Sequence, residues 1–370
     1  MFQGSAAVLL NRIEIQWPLS AAAASQHRPD DITSQRQQEE KTMLRFAILG
    51  AGSIARTMAD TVNGMKGEIE PYAIAARDKD RAKAFRKQYG FAVSYGSYEE
   101  MLADPKVDLV YIAVPHSHHH QWTLAALNAG KNVLCEKSFA ANEAQAREMI
   151  ELAEKKHLLL TEAIWTRYQP SRKIIDDVVK SGIIGEVHTV SANLGYPISQ
   201  VERMQRPELA GGSLLDLSVY VLNFASMVLG DSIRKLTATC VKTDTGVDGQ
   251  DTFCLEYENG AMASLFTTMY VPTNRMGLIC GEKGFIEVEN INNPQKITAF
   301  RQEGYGKTEI ASWNVPKQIT GYEYEVRASI KAIEEGWIEC PQMPHSETLE
   351  IMRQMDEARK QFGIVFPFER

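Results

Sequence analysis

The stretch from Leu44 to Ala55, LRFAILGAGSIA, constrains this chain more than any other. Phe46, Ala47, Ile48 and Leu49 form an apolar run that reads as a strand buried on both faces. The residues that follow, Gly50-Ala51-Gly52-Ser53-Ile54-Ala55, carry the spacing G-x-G-x-x-A and lead into a helix. A strand before and a helix after give this spacing its meaning. Gly50 permits a tight turn, Gly52 lets the backbone approach a pyrophosphate, and small Ala55 lets the helix pack closely on the strand. The free N–H groups of the first helical turn then face phosphate charge. Gly50, Gly52, Ser53 and Ile54 are therefore candidate dinucleotide contacts. The competing reading, a glycine-rich turn in an α/β core, is weakened by the strand–helix alternation that continues downstream.

That alternation runs through a strand at Tyr72 to Ala76, a helix at Lys79 to Tyr89 and a capping-box start at Ser97-Tyr98-Glu99-Glu100. It continues with strands at Leu109 to Val114 and Asn132 to Cys135, a helix at Asn142 to His157, and a closing strand at Leu158 to Leu160. This order predicts a Rossmann-like, doubly wound parallel sheet over 43–165. After Trp165 the rhythm changes. Helices at Ser171 to Ser181 and Ser213 to Leu229 flank a strand at Val187 to Leu194. Successive β runs follow at Lys235 to Val241, Thr252 to Tyr257, Met262 to Thr268, Gly277 to Cys280 and Phe285 to Glu289. Asn259-Gly260 marks a tight hairpin between two of them. Helices at Tyr322 to Glu335 and Glu347 to Phe362 end the chain, the last able to return to the first domain. Residues 166–370 thus read as an α+β substrate and dimerisation domain with an open, mostly antiparallel sheet. Its uncovered face calls for a partner, so a homodimer or higher homo-oligomer is expected.

The length of 370 residues fits two domains. Residues 1–42 look foreign to both, with an alanine run at Ala21 to Ala24 and a polar tail at Ser34 to Thr42. Their apolar part, Ala6 to Leu10, is too short for a secretory signal. They are expected to be a disordered extension, with Met43 as the natural start. A net charge of −7 and no long basic run argue against nucleic acid as a partner. Five scattered cysteines form no C-x-x-C pair, so no metal or disulfide framework is expected and a reducing cytoplasm is the simplest compartment. With no run of eighteen apolar residues, no membrane span is expected.

Several positions carry chemistry. Arg77 follows the second strand, where such folds meet the adenosine ribose, and a cation there favours the 2′-phosphate of NADP over NAD. Asp78 is either a helix cap or a ribose ligand. His116, His118, His119 and His120 resemble a metal cluster, but no downstream set completes a coordination sphere. His116 and His119 are expected beside the nicotinamide ribose, and His118 and His120 in solvent. Lys137 stands just beyond a strand end, where an ammonium can steady charge on a developing alkoxide. The plainer alternative is a surface ion pair between Glu136 and Lys137. Asp216 and Tyr220, four apart, share one helical face. A nearby lysine would pair with the acid and lower the phenol from its reference of ~10; the alternative is a buried polar pair without chemistry.

Taken in order, GAGSIA, AAR, VPHSHH, AGKNVLCEKS, EAIWTRYQP and GGSLLDLSVY resemble the glucose-fructose oxidoreductase/inositol dehydrogenase/MocA family, from about Leu44 to the C-terminus. The nearest likeness is to its dimeric dihydrodiol and NADP-dependent D-xylose dehydrogenase branch. The resemblance implies hydride transfer between NADP(H) and a small carbohydrate, polyol or trans-dihydrodiol, and a dimer formed through the sheet. Lys137 matches the catalytic lysine of the family's EKP motif, which places Glu136 at the cofactor. Tyr220 matches the branch's catalytic tyrosine, and Asp216 the motif acid. Pro115 and His119 match the P-N-x-x-H motif, and Trp165, Arg167 and Tyr168 a segment near the substrate. Two departures stand out. Ser138 replaces the EKP proline, which commonly follows a cis peptide in relatives, so a differently aimed Lys137 is expected. His116 replaces the motif asparagine, which puts its ribose contact in question. The expected chemistry is reversible alcohol oxidation: Tyr220 takes the hydroxyl proton, Lys137 steadies the oxygen and Asp216 orients Lys137. A cofactor-sensing regulator without turnover is the alternative, but it would need neither lysine nor phenol.

Overall fold

The structure is a computed structural model that describes residues 43–369. The N-terminal extension inferred from sequence lies outside the described residues.

Six strands, β1 (Arg45–Leu49), β2 (Glu70–Ala75), β3 (Val93–Tyr95), β4 (Leu109–Ile112), β5 (Asn132–Glu136) and β6 (Leu160–Ala163), form a parallel sheet in the order β3-β2-β1-β4-β5-β6. The helices of this half are α1 (Ser53–Gly64), α2 (Lys79–Tyr89), α3 (Tyr98–Leu102), α4 (His119–Asn128) and α5 (Glu143–Lys156). All four residues of β4 are buried, which explains its unbroken apolar run. Side-chain caps set three helix starts. Asp78 accepts from the N–H groups of Asp80 and Arg81, Ser97 from Glu100, and Asn142 from Gln145. Strand order reverses between β1 and β4, so the crevice beyond their carboxyl ends is where ligands of such sheets collect.

The second half comprises α6 (Pro170–Lys180), β7 (Val187–Gly195), α7 (Val219–Leu229), β8 (Ile233–Lys242), β9 (Asp248–Tyr257), β10 (Met262–Thr268), β11 (Gly277–Gly281), β12 (Gly284–Val288), β13 (Lys296–Glu303), β14 (Gly306–Asn314), α8 (Glu323–Glu334) and α9 (His345–Phe362). Its eight strands run β14-β13-β12-β11-β7-β10-β9-β8, antiparallel except for the parallel pair β7/β10. Along β7 the buried residues Val190, Ala192 and Leu194 alternate with Thr189, Ser191 and Asn193, so one face is covered and the other open. Met262 and Phe266 lie exposed on β10. Strands β3, β13 and β14 are absent from the sequence reading. Residues 301–309 are exposed, many of them charged, and show no apolar alternation.

Helix α7 packs on β7 and β10, and its buried residues join the core that continues onto one face of the parallel sheet. With its lead-in, Pro207–Leu229 is long and apolar enough, by length and composition alone, to cross a membrane. Most of that apolar window, 83%, is buried inside the protein, as in the core helix of a globular domain. The expected single helix from Ser213 also divides. Leu214–Ser218 forms a π-helical turn, and regular α-helix begins only at Val219. Such turns recur where a helix carries functional side chains. At the C-terminal end, α9 packs on both α5 and β8, and α8 on β5.

Candidate active site

The site begins where β5 ends. The Lys137–Ser138 peptide is cis, although serine stands in the proline position. The Ser138 hydroxyl donates to the Leu215 carbonyl at 2.7 Å, while the Ser138 carbonyl meets the His119 ring at 2.8 Å. Lys137 leaves this anchored corner toward the π turn. Its Nζ donates to the Asp216 carbonyl at 2.9 Å and to Asp216 Oδ1 at 3.1 Å, and lies 5.0 Å from the Tyr220 ring centroid. Lys137 forms no surface pair with Glu136. That carboxylate is buried, accepts the Tyr111 hydroxyl and caps the Lys137 backbone N–H.

Asp216 is the hub. Arg203 reaches its two oxygens at 3.1 and 3.2 Å, and His116 Nε2 lies 3.8 Å away. Burial pushes the carboxyl up, but the charges of Lys137 and Arg203, with His116, outweigh it and hold Asp216 below the usual carboxylate range. Burial lowers His116 to about 3 against the pull of Asp216, so its ring is neutral. Burial lowers His119 to about 4. Both nitrogens of His119 face backbone carbonyls, of Val114 and Ser138, so this histidine ties the ends of β4 and β5 together. Tyr220 overturns an expectation. Burial, joined by Tyr322, Glu136 and Asp216, raises its phenol well above the ordinary value, so the nearby ammonium does not depress it. No described residue hydrogen-bonds its hydroxyl. Burial also lifts Glu136 to about 7, against Lys137 and the Tyr111 bond.

The segment after β6 divides. Trp165 stacks on Tyr322 with ring centroids 4.2 Å apart and donates its indole N–H to Asn292 at 3.0 Å. Arg167 and Tyr168, expected beside substrate, are engaged by the protein itself. The Arg167 guanidinium donates to Asn223, Ser226 and Glu347, and the Tyr168 hydroxyl bonds Thr161 and the Glu162 carbonyl. His118 and His120 are half-buried rather than in solvent. His118 bonds Ser117 and His120 bonds Glu148.

At the Gly50–Ala55 turn, two glycines have different reasons. Gly50 has φ of +111° and its Cβ would lie 2.5 Å from the Ala113 carbonyl oxygen, so the fold itself demands glycine. Gly52 has φ of −83°, and the nearest protein atom to its Cβ position is 4.0 Å away. The fold does not require glycine there, whereas close approach by a pyrophosphate does. No side chain caps α1, so its first-turn N–H groups remain open beside exposed Ser53 and half-buried Ile54. Pro115 leads the 3-10 turn His116–His118 at the end of β4. These residues fit a dinucleotide. Arg77 is exposed and forms no ion pair among the described residues, while Asp78 caps α2. Arg81 reaches the Ala51 carbonyl and shares with Arg77 the surroundings of Tyr98. Sequence reasoning missed Arg81, Arg203, Asn292 and Tyr322. All sit outside recognisable spacings, and only the folded chain brings them to the site.

A parallel sheet carrying a dinucleotide turn, joined to a second domain that brings an acid and a phenol to a strand-end lysine, defines a nicotinamide-dependent oxidoreductase. Residues 44–164 match the oxidoreductase family described as having an NAD-binding Rossmann fold, and residues 173–287 match the GFO/IDH/MocA C-terminal domain. The chain is 35% identical over 329 residues to the trans-1,2-dihydrobenzene-1,2-diol dehydrogenase of Xenopus laevis, covering 87% of this chain and 99% of that protein. It is 32% identical over 334 residues to the human protein of that name, covering 88% and 99%. This chain belongs to the GFO/IDH/MocA oxidoreductase family. Among solved structures it is similar to a 3-ketoreductase from Actinomadura kijaniata in complex with NADP and TDP-benzene. The TM-score is 0.79 at 24% identity, covering 87% of this chain and 98% of that one. It is also similar to a levoglucosan dehydrogenase in complex with NADH and levoglucosan, with a TM-score of 0.78 at 18% identity, covering 88% and 100%.

Proposed function

We propose that this protein is an NADP-preferring dehydrogenase that interconverts a secondary alcohol or hemiacetal with its carbonyl, on a sugar, polyol or trans-dihydrodiol. The observation that carries this reading is the convergence of Lys137 on Asp216 at 3.1 Å and on the Tyr220 ring at 5.0 Å, two lobes meeting at one point. The named activities of the dihydrodiol dehydrogenase relatives support the substrate class. A nicotinamide dinucleotide held through its pyrophosphate at the Gly50–Ala55 turn would supply or accept the hydride. The chain's own residues handle the oxygen and its proton. Tyr220 passes the proton to or from the substrate oxygen, and Lys137 donates a hydrogen bond to it. Asp216 fixes Lys137, and Arg203 with His116 fixes Asp216. Because burial keeps Tyr220 in its phenol form, the resting site is protonated for carbonyl reduction, and oxidation requires loss of that proton. Arg77 and Arg81 support the preference for the 2′-phosphate. The open face of the eight-stranded sheet supports a homodimer, and five free cysteines fit a reducing cytoplasm.

The test is Lys137→Met and Tyr220→Phe, assayed by NADPH absorbance on a panel of aldoses and diols. Each variant is expected to lose at least ~10²-fold in turnover, the scale of an acid–base group, while still binding NADPH. Full turnover in both removes the assigned roles.

A further inference from the structure

Beyond Tyr220, the second domain extends the wall of the site. Tyr322 stands in electrostatic contact with Tyr220 and Glu136 on one side and with Tyr196 on the other. Asn292 links the indole of Trp165 to the Tyr196 hydroxyl, which it meets at 3.0 Å. Arg275 ends this row. Its Nη1 donates to the Tyr196 hydroxyl at 3.3 Å, and its guanidinium lies 5.3 Å from the Tyr196 ring centroid.

Three features set Arg275 apart. It is half-buried, and no carboxylate pairs with it among the described residues. One phenol oxygen is its side chain's partner, although a guanidinium offers five donors in a fork. Its backbone is left-handed, with φ of +56°, a conformation seldom adopted by a residue with a long side chain. That conformation is pinned from both strand ends. The Arg275 N–H donates to Asn193 Oδ1 at 3.1 Å, and its carbonyl accepts from Ile291 N–H at 2.8 Å. Unusual backbone held this firmly points to a task for the side chain.

Resting on the dehydrogenase reading above, we infer that Arg275 is a specificity residue that binds an anionic group at the end of the substrate remote from the reacting hydroxyl. The substrate is then an acidic polyol or sugar, bearing a carboxylate or a phosphate, both of which match the planar fork of arginine. Tyr196 holds that fork by hydrogen bonding and ring contact, and Asn292 holds Tyr196.

The experiment compares matched probes on the NADPH-loaded full chain by calorimetry. D-glucose is the neutral control, D-glucuronate the carboxylate arm and D-glucose 6-phosphate the phosphate arm. The wild type is expected to bind one anionic arm more tightly than the neutral sugar. Arg275→Gln should weaken that arm by roughly 10- to 100-fold, the range of a charge-assisted hydrogen bond, and leave the neutral sugar and NADPH unchanged. Arg275→Lys should restore part of the preference, and unaltered NADPH affinity shows that a variant is folded. Equal binding of neutral and anionic probes to the wild type, or the same preference in Arg275→Gln, overturns the inference. Hydride transfer is read separately. Arginine-dependent binding without any NADPH oxidation or NADP reduction would sink the dehydrogenase reading and leave the anion site standing.

Discussion

Asp248 and Asp251 lie beneath the turn that carries Asp216, and both are almost completely buried. Asp248 accepts the Leu214 backbone N–H, and Asp251 Oδ2 accepts the hydroxyls of Ser218 at 2.9 Å and Thr267 at 3.1 Å. Asp251 Oδ1 has no hydrogen-bond partner among the described residues. The donors present are too few for two full charges. Burial raises both carboxyls, and the Asp248 charge raises Asp251 further, so the pair holds one proton in common. A carboxyl raised in the folded state stabilises the fold below its unfolded value of ~3.9 and loses that contribution as pH climbs through the folded value. The protein should therefore weaken on the alkaline side. Asp251→Asn replaces the shared proton by an amide, which can still accept from Ser218 and can donate to Asp248. Two unit charges ~4 Å apart cost ~4 kcal/mol at an effective dielectric of ~20, and hydroxyl donation offsets part of it. Asp251→Asn should thus gain about 1–2 kcal/mol near pH ~8 and almost nothing near pH ~5, read as urea midpoints at the two pH values. Asp251→Ala removes an acceptor from Ser218 and Thr267, which keep their bond to each other and that of Thr267 to Ser213, and should destabilise at both pH values by about 1–3 kcal/mol. Parallel pH curves for wild type and Asp251→Asn would refute the shared proton.

The raised phenol of Tyr220 predicts opposite pH dependences for the two directions. Oxidation should rise about tenfold per pH unit through neutrality without a plateau, while carbonyl reduction stays flat; a plateau of oxidation near pH ~7 would assign the base elsewhere. Arg77→Ser should raise KM for NADP by roughly tenfold or more and leave KM for NAD within about twofold. Equal effects on both would remove Arg77 from the 2′-phosphate.

The parallel sheet was legible because its signals are local: apolar runs for strands buried on both faces, and Asp78, Ser97 and Asn142 at helix starts. The open sheet was legible only in part. The charged, exposed residues of β13 and β14 lack the alternation that a half-buried strand displays. The same distinction runs through the site. Gly50, Gly52, Lys137, Asp216 and Tyr220 sit at spacings fixed by one turn or one helix face. Arg203, Asn292, Tyr322 and Arg275 reach the site across the fold and leave no periodic trace. Even the local inference about Tyr220 failed in sign. It counted the ammonium but could not count the burial or the carboxylates of Glu136 and Asp216, which together outweigh one cation 5.0 Å from the ring. Position along the chain identifies a proton carrier, but only its surroundings decide which protonation state it starts from. Here those surroundings, burial above all, favour the phenol.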